Sequence, residues 1–200
     1  KRGLATSFVA GIGLTGAVVA FIIKENFHWR TCYFIGGGLG IMLLFLRIAV
    51  FESGMFHTIQ ADTTIKKGNF LQLFSSKKNT IKYLSIIFVT VPVWYVMGTL
   101  VLFSPELSEK LGLAPKAISA GKAIMWAYAG ITVGDIASGL ISQILKSRKK
   151  TFALFLSLTI LGNILYFVFG GNSVSTFYSI VGFIGFATGY WAVFISTASE

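Results

Sequence analysis

Acidic residues are scarce in this 200-residue chain: seven Asp and Glu stand against seventeen Lys and Arg, for a net charge of +10, and charged residues of both signs make up only 12%. A soluble domain carries about a quarter charged residues, so water is excluded as the solvent for most of these side chains. Cysteine is nearly absent. Cys32 stands alone, which excludes a disulfide within the chain and a thiolate metal site. The two histidines, His28 and His57, fall in loops on opposite sides of the membrane in the topology derived below, so they cannot share a metal. His-Glu-x-x-His, Gly-x-Ser-x-Gly and a phosphate loop are all missing. No cofactor, no metal and no enzymatic activity are therefore expected. A cleavable signal peptide is not expected either, because the sequence opens Lys-Arg-Gly and runs at once into an apolar helix of full membrane length.

What the chain does have is apolar residues, 54% of the total, in long blocks and not in the 3.6-residue stripe of a soluble helix. A spanning helix needs about 20 mostly apolar residues. Six segments qualify: Leu4–Ile23, Trp29–Phe51, Tyr83–Phe103, Ala117–Leu145, Thr151–Gly170 and Thr176–Thr197. Open strands cannot satisfy their backbone in lipid, so the expected fold class is all-α integral membrane. Short links around residues 24–28, 146–150 and 171–175 make the helices they join antiparallel.

In a soluble protein the excess of base would suggest nucleic acid. Here the cations cluster between apolar blocks, at Lys66, Lys67, Lys77, Lys78 and Lys82 and again at Lys146, Arg148, Lys149 and Lys150. That is the pattern of cytoplasmic loops against anionic lipid, and no groove-reading or base-stacking module accompanies it, so membrane lipid is expected as a partner and nucleic acid is not. With the N-terminus in the cytoplasm, these nine cations and Lys1 and Arg2 lie inside, while Lys24, Arg30, Lys110, Lys116 and Lys122 lie outside. The asymmetry favours that orientation. Phe27 and Trp29 then form an aromatic anchor at the outer interface. Arg47, Glu52 and Lys122, near helix ends, are interfacial anchors that can reach the headgroups. The polar stretch 52–80 reads either as a short amphipathic helix on the cytoplasmic surface, through Phe70, Leu71, Leu73 and Phe74, or as a basic linker.

Gly11-Ile12-Gly13-Leu14-Thr15-Gly16 matches the dinucleotide pattern, but that motif needs a strand before it and a helix after it. Inside a membrane helix such glycines serve close helix packing, and Gly36 with Gly40 and Gly185 with Gly189 repeat the spacing. Asp135 is the most informative residue. It lies ten residues from Leu145, hence about 15 Å into the membrane at 1.5 Å per residue, where a carboxylate must face a cavity, a partner or a proton. It reads as a proton or substrate site, or as half of a buried pair with a basic residue near the cytoplasmic end. Trp94, Tyr95, Trp126, Tyr128, Tyr190 and Trp191 put amphipathic rings within or near the middle of helices, suited to a solute path or to packing with the polar tip on a neighbouring carbonyl. Pro92 should kink the third segment.

Several of these stretches resemble the major facilitator superfamily of transporters. Trp29-Arg30, a Gly-rich helix, Leu46-Arg47 and Glu52-Ser53 resemble its fifth-to-sixth helix region. Gly134-Asp135-Ile136-Ala137-Ser138-Gly139, then Ser142-Gln143, Leu145-Lys146 and Ser147-Arg148-Lys149-Lys150, look like its cytoplasmic turn between helices eight and nine. Gly189-Tyr190-Trp191 with Ala198-Ser199-Glu200 resembles the end of helix ten, in the manner of the proton-coupled metabolite symporters. The family's loop motif has an acid four residues after its glycine and then another glycine. Counting from Gly139, Gln143 and Lys146 hold those places here, and the resemblance leaves Asp135, one turn before Gly139, as the residue to supply the acid.

The resemblance implies that 1–51 are the last two helices of an N-terminal bundle, 52–80 a cytoplasmic linker and 81–200 the first four helices of a C-terminal bundle. The segment would then be the middle of a twelve-helix fold in the cell (inner) membrane, with the remaining helices of the same protein as partners. It implies secondary transport of a small metabolite or sugar-like solute by alternating access, coupled to protons. Trp94, Tyr95, Tyr190 and Trp191 would line the path, and Asp135 with Lys146 or Arg148 would form a latch that stabilises one state. The competing expectation is a six-helix membrane module that does not transport and acts as an assembly or signalling partner.

Overall fold

Backbone amides and carbonyls that enter hydrocarbon must bond within their own segment, and the apolar blocks become helices accordingly. The computed structural model describes residues 2–48 and 74–198. Its helices are α1 (Arg2–Asn26), α2 (Trp29–Ile48), α3 (Lys77–Tyr95) continued by a π-helical turn (Val96–Val101), α4 (Ser104–Lys110), α5 (Ala120–Ile144), α6 (Arg148–Phe169), α7 (Val174–Thr188) and α8 (Trp191–Ala198). Six helical runs among the described residues are long and apolar enough to cross a membrane, the last being Val174–Ile195. The described residues thus form an all-helical, multi-pass membrane chain. The polar stretch from 52 to 73 lies outside the described residues.

Several boundaries differ from those expected, each for a local reason. The fifth span starts at Arg148 because Ser147 caps it, its hydroxyl accepting from Lys150 N at 3.4 Å. The sixth starts at Val174 because Ser173 does the same for Thr176 N at 3.1 Å. Such caps carry a helix out past its apolar run. The third span takes Lys77, Lys78 and Lys82 into its first turns. Pro92 lies inside that helix, and the i-to-i−4 ladder gives way one turn later to a π turn, with Leu102 N bonded to Met97 O at 3.2 Å. The loop after it holds the additional short helix α4, with Pro105 in its first turn.

The chain divides into two compact units, one of Lys1–Ile22 with Ile86–Glu200 and one of Ile23–Ser85. In the smaller unit α2 has no buried residue. A methyl group built on Gly36 or Gly40 meets no atom within 4 Å. Among the described residues, no neighbour comes near enough to use the spacing of that glycine pair.

In the larger unit α5 and α7 run parallel with their backbones in contact. A Cβ on Gly130 would fall on Gly182 O, one on Gly134 on Phe186 O, and one on Gly185 on Ala127 O. Only glycine permits this approach, which membrane helices use in place of a hydrophobic driving force. The glycines of α1 divide. Gly11 faces Thr132 O and Ile136 of α5, whereas methyls on Gly13 and Gly16 would meet nothing within 4 Å. All three lie inside a helix, so the dinucleotide motif is absent as expected. Ser7 against Gly139, Gly11 against Ile136 and Phe21 against Gly121 place α1 antiparallel to α5, as an alternating topology requires of a first and a fourth span.

Between α6 and the π turn, buried Tyr166 donates its hydroxyl to Leu100 O at 3.0 Å. Tyr166→Phe is expected to lower stability by about 1 kcal/mol, a usual size for an interhelical hydrogen bond in a membrane. A melting temperature of the detergent-purified protein equal to that of the wild type would show that the bond contributes nothing.

Candidate functional site

The sixth span is interrupted. Gly189 and Tyr190 separate α7 from α8, where an unbroken helix over 176–197 was expected. A break leaves the last carbonyls of one helix and the first amides of the next without helical partners, and each such group is costly in lipid unless it is satisfied.

All four carbonyls at the end of α7 have donors. Gly185 O receives the Thr188 hydroxyl at 2.9 Å and Ala187 O the Thr159 hydroxyl of α6 at 3.1 Å. Phe186 O receives Gly189 N at 3.0 Å, and Thr188 O receives Tyr190 N at 2.9 Å. Across the break, Ala192 N donates to Asp135 Oδ1 at 3.1 Å, and the neighbouring Trp191 amide faces the same carboxylate. Asp135 of α5 thus acts as the anionic cap of α8, where the helix dipole favours negative charge. Gly189 is glycine because Gly134 is so near: its Cβ would lie 2.6 Å from Gly134 Cα and 2.7 Å from Asp135 N. The same close approach that joins α5 to α7 therefore delivers the carboxylate to the break.

Asp135 is fully buried (0% exposed) and its second oxygen, Oδ2, has no hydrogen-bond partner. The pairing expected with Lys146 or Arg148 is not formed in this structure. Lys146 is eleven residues further along the chain, about 16 Å at the helical rise, and the carboxylate is already engaged by the α8 amides. Lys146 is exposed in the turn between α5 and α6, and Arg148, the first residue of α6, is half-buried.

Of the four rings expected along a solute path, two meet: Trp94 and Trp191 pack edge to face at 6.0 Å between centroids. Trp94 is 63% exposed and Tyr95 45%. Tyr190 is buried instead, packed on Phe152 and Phe155, with its hydroxyl donating to Val89 O at 2.8 Å. Val89 lies one turn before Pro92, whose missing N–H and bulky ring disturb the ladder there, so Tyr190 ties the irregular part of one span to the break in another. Trp126 lies over Gly182, and Lys122 places its ammonium 4.9 Å from the Tyr178 ring centroid, which gives that anchor a cation–π partner.

Polar residues not singled out from the sequence also gather here. Thr159 Oγ1 bridges Phe155 O and Ala187 O, and Asn163 of α6 donates to Thr159 O at 2.8 Å while its own Oδ1 is unpartnered. An Asn and a Thr one turn apart within an apolar segment are a legible signal. Among the described residues no group of three or more His, Cys, Asp and Glu could hold a metal. Comparison of the chain with family models, curated proteins and solved structures gives no match.

Proposed function

We propose that this chain is the central part of a secondary active transporter of the major facilitator type, moving a small metabolite by proton-coupled alternating access. The observation that carries this reading is the Asp135 carboxylate, buried within a membrane span at the break of another helix, with one oxygen unpartnered. Ionisable groups inside membrane segments are costly and mark ion and substrate pathways. Interrupted helices whose termini face charge are a recurrent construction of transport sites. A non-transporting six-helix module has no need of either.

Two further features support the reading. Lys146 occupies a left-handed backbone conformation, φ 47°, which favours glycine, at the position where the family's loop motif carries one. The Trp94–Trp191 pair brings together spans three and six, the helices expected to line the path. The polar rings of Trp94 and Tyr95 are accessible for a solute such as a sugar or hydroxy acid, whereas Tyr190 serves as a strut.

The test uses the full-length protein in proteoliposomes holding a trapped pH dye, with a panel of sugars, organic acids and amino acids added outside. Wild type is expected to move protons on addition of one class of solute. Asp135→Asn should lower that initial rate at least tenfold without lowering membrane insertion. Wild-type rates in Asp135→Asn would remove Asp135 from the mechanism, and no solute-dependent proton movement in the wild type would remove the symport reading.

A further inference from the structure

Asp135 has two ways to be neutralised inside the membrane: it can face the amino terminus of α8, or take a proton on Oδ2. Only the first is fixed by the fold. The carboxylate accepts from Ala192 N through Oδ1, while Oδ2 is buried and unpartnered. We propose that proton binding at Oδ2 releases the half-helix Trp191–Ala198 from α5, so that Asp135 is a proton-operated clasp on the mobile end of the sixth span. This deepens the transport reading and rests on it for its purpose, but not for its physics.

The step is a simple one. A proton from water bonds to Oδ2 and the carboxylate loses its charge. The hydrogen bond from Ala192 N–H then ends on a neutral carbonyl oxygen, and the attraction between an anion and the helix amino terminus is lost. Among the described residues nothing else replaces that charge. Helix α8 carries no titratable residue. From α6 come Tyr166, bonded to Leu100 O, and the cations Arg148, Lys149 and Lys150 at its start. From α7 comes Tyr178, bonded to Ser119 N, and from α3 Tyr95. From α5 itself come Lys122 and Tyr128, about three and a half and two turns before Asp135. Lys24 and Glu25 of α1 and Lys77, Lys78 and Lys82 of α3 belong to the other compact unit. Tyr190, in the break, gives its hydroxyl to Val89 O. No described charged side chain pairs with Asp135.

The break is built to let α8 move. Its flanking carbonyls are held by donors from α6, α7 and the break itself, so they stay satisfied when α8 shifts. Only the amides of α8 depend on Asp135. Release therefore strands no carbonyl of α7 and exposes amides to a carboxylic acid that can still accept.

Hydrogen exchange reads this directly in the full-length protein in nanodiscs. Exchange of the peptide covering 190–195, corrected for the intrinsic pH dependence of amide chemistry, is expected to rise about tenfold from neutral to acidic pH, the size of a favourable partly buried charge–helix interaction. A peptide from the middle of α6 should not change. In Asp135→Asn the 190–195 peptide should exchange at the fast rate at every pH. Infrared difference spectra should show the carbonyl band of a protonated carboxylic acid at low pH in the wild type and not in the variant. Unchanged protection in the wild type across the pH range would overturn the clasp, as would the same pH response in Asp135→Asn. If the pH response appears and is abolished by the variant while no solute moves protons, the clasp stands and the transport reading falls.

Discussion

Gly185→Ala is expected to prevent accumulation of folded protein, although it adds a single methyl group and improves helix propensity. The added Cβ would fall on Ala127 O, with Ala127 C and Cα 2.9 Å away. These are backbone atoms of α5 and cannot rotate aside. The two helices must separate, which breaks the neighbouring contacts of Gly130 and Gly134 and withdraws Asp135 from Ala192. Overpacking a well-packed interior costs about 1–3 kcal/mol and occasionally more, and here the capping of α8 is lost as well. Size-exclusion chromatography after detergent extraction should show the monodisperse peak reduced at least tenfold. Gly36→Ala supplies the control. It makes the same change on another glycine-containing helix, but its methyl meets no atom within 4 Å, so its yield should equal or exceed that of the wild type, alanine being favoured over glycine in a helix by about 1 kcal/mol. Equal yields for the two variants would show that α5 and α7 do not touch as described.

The second large effect concerns the contact of α1 with α5. A Cβ on Gly139 would lie 2.7 Å from Ser7 Cβ, and disulfides span about 3.8 Å between Cβ atoms, so a Ser7→Cys, Gly139→Cys pair can bridge after an outward shift of about 1 Å. The native thiol, Cys32, makes only long contacts to Ile23 O and Phe27 O at 3.9 and 3.7 Å, so Cys32→Ser removes the background thiol at little cost. In the proposed register α1 belongs to one bundle and α5 to the other, and rocking must change their separation. Oxidation is expected to bring solute-driven proton movement down to the level of empty liposomes, and reduction to restore it. Quantitative cross-linking with undiminished transport would show that this contact stays fixed through the cycle.

The membrane spans were legible because each is a long apolar run, and lipid admits only helix for such a run. The break within the last one was not. Thr188 and Tyr190, on either side of Gly189, are uncharged and stand in an otherwise apolar run, and the group that stabilises the interruption, Asp135, lies on a different helix far earlier in the chain. The π turn after Pro92 was hidden for a similar reason: proline announced a disturbance, while its form depends on neighbours such as Tyr166. Asp135 could be singled out from its depth alone, yet its partner could not, because a backbone amide leaves no mark in a sequence. The same holds for Tyr190, whose hydroxyl is turned to a carbonyl of α3. Glycine spacing was informative only in part. Gly36 and Gly40 share the spacing of Gly185 and Gly189, and among the described residues the second pair alone has a helix against it. Gly130 and Gly134 carry the same signal and lie against the backbone of α7.

The edge contact between Trp94 and Trp191 has a thermodynamic consequence. The indole of Trp191 touches the ring exposed on α3, and its backbone amide faces the carboxylate of α5. A solute seated on Trp94 and a proton seated on Asp135 would therefore be one residue apart. Whatever free energy the proton adds to solute binding, the solute must add equally to proton binding. On this reading, the ratio of proton affinities measured with and without solute gives the coupling free energy between the two ligands, and Trp191 is the residue through which they sense each other.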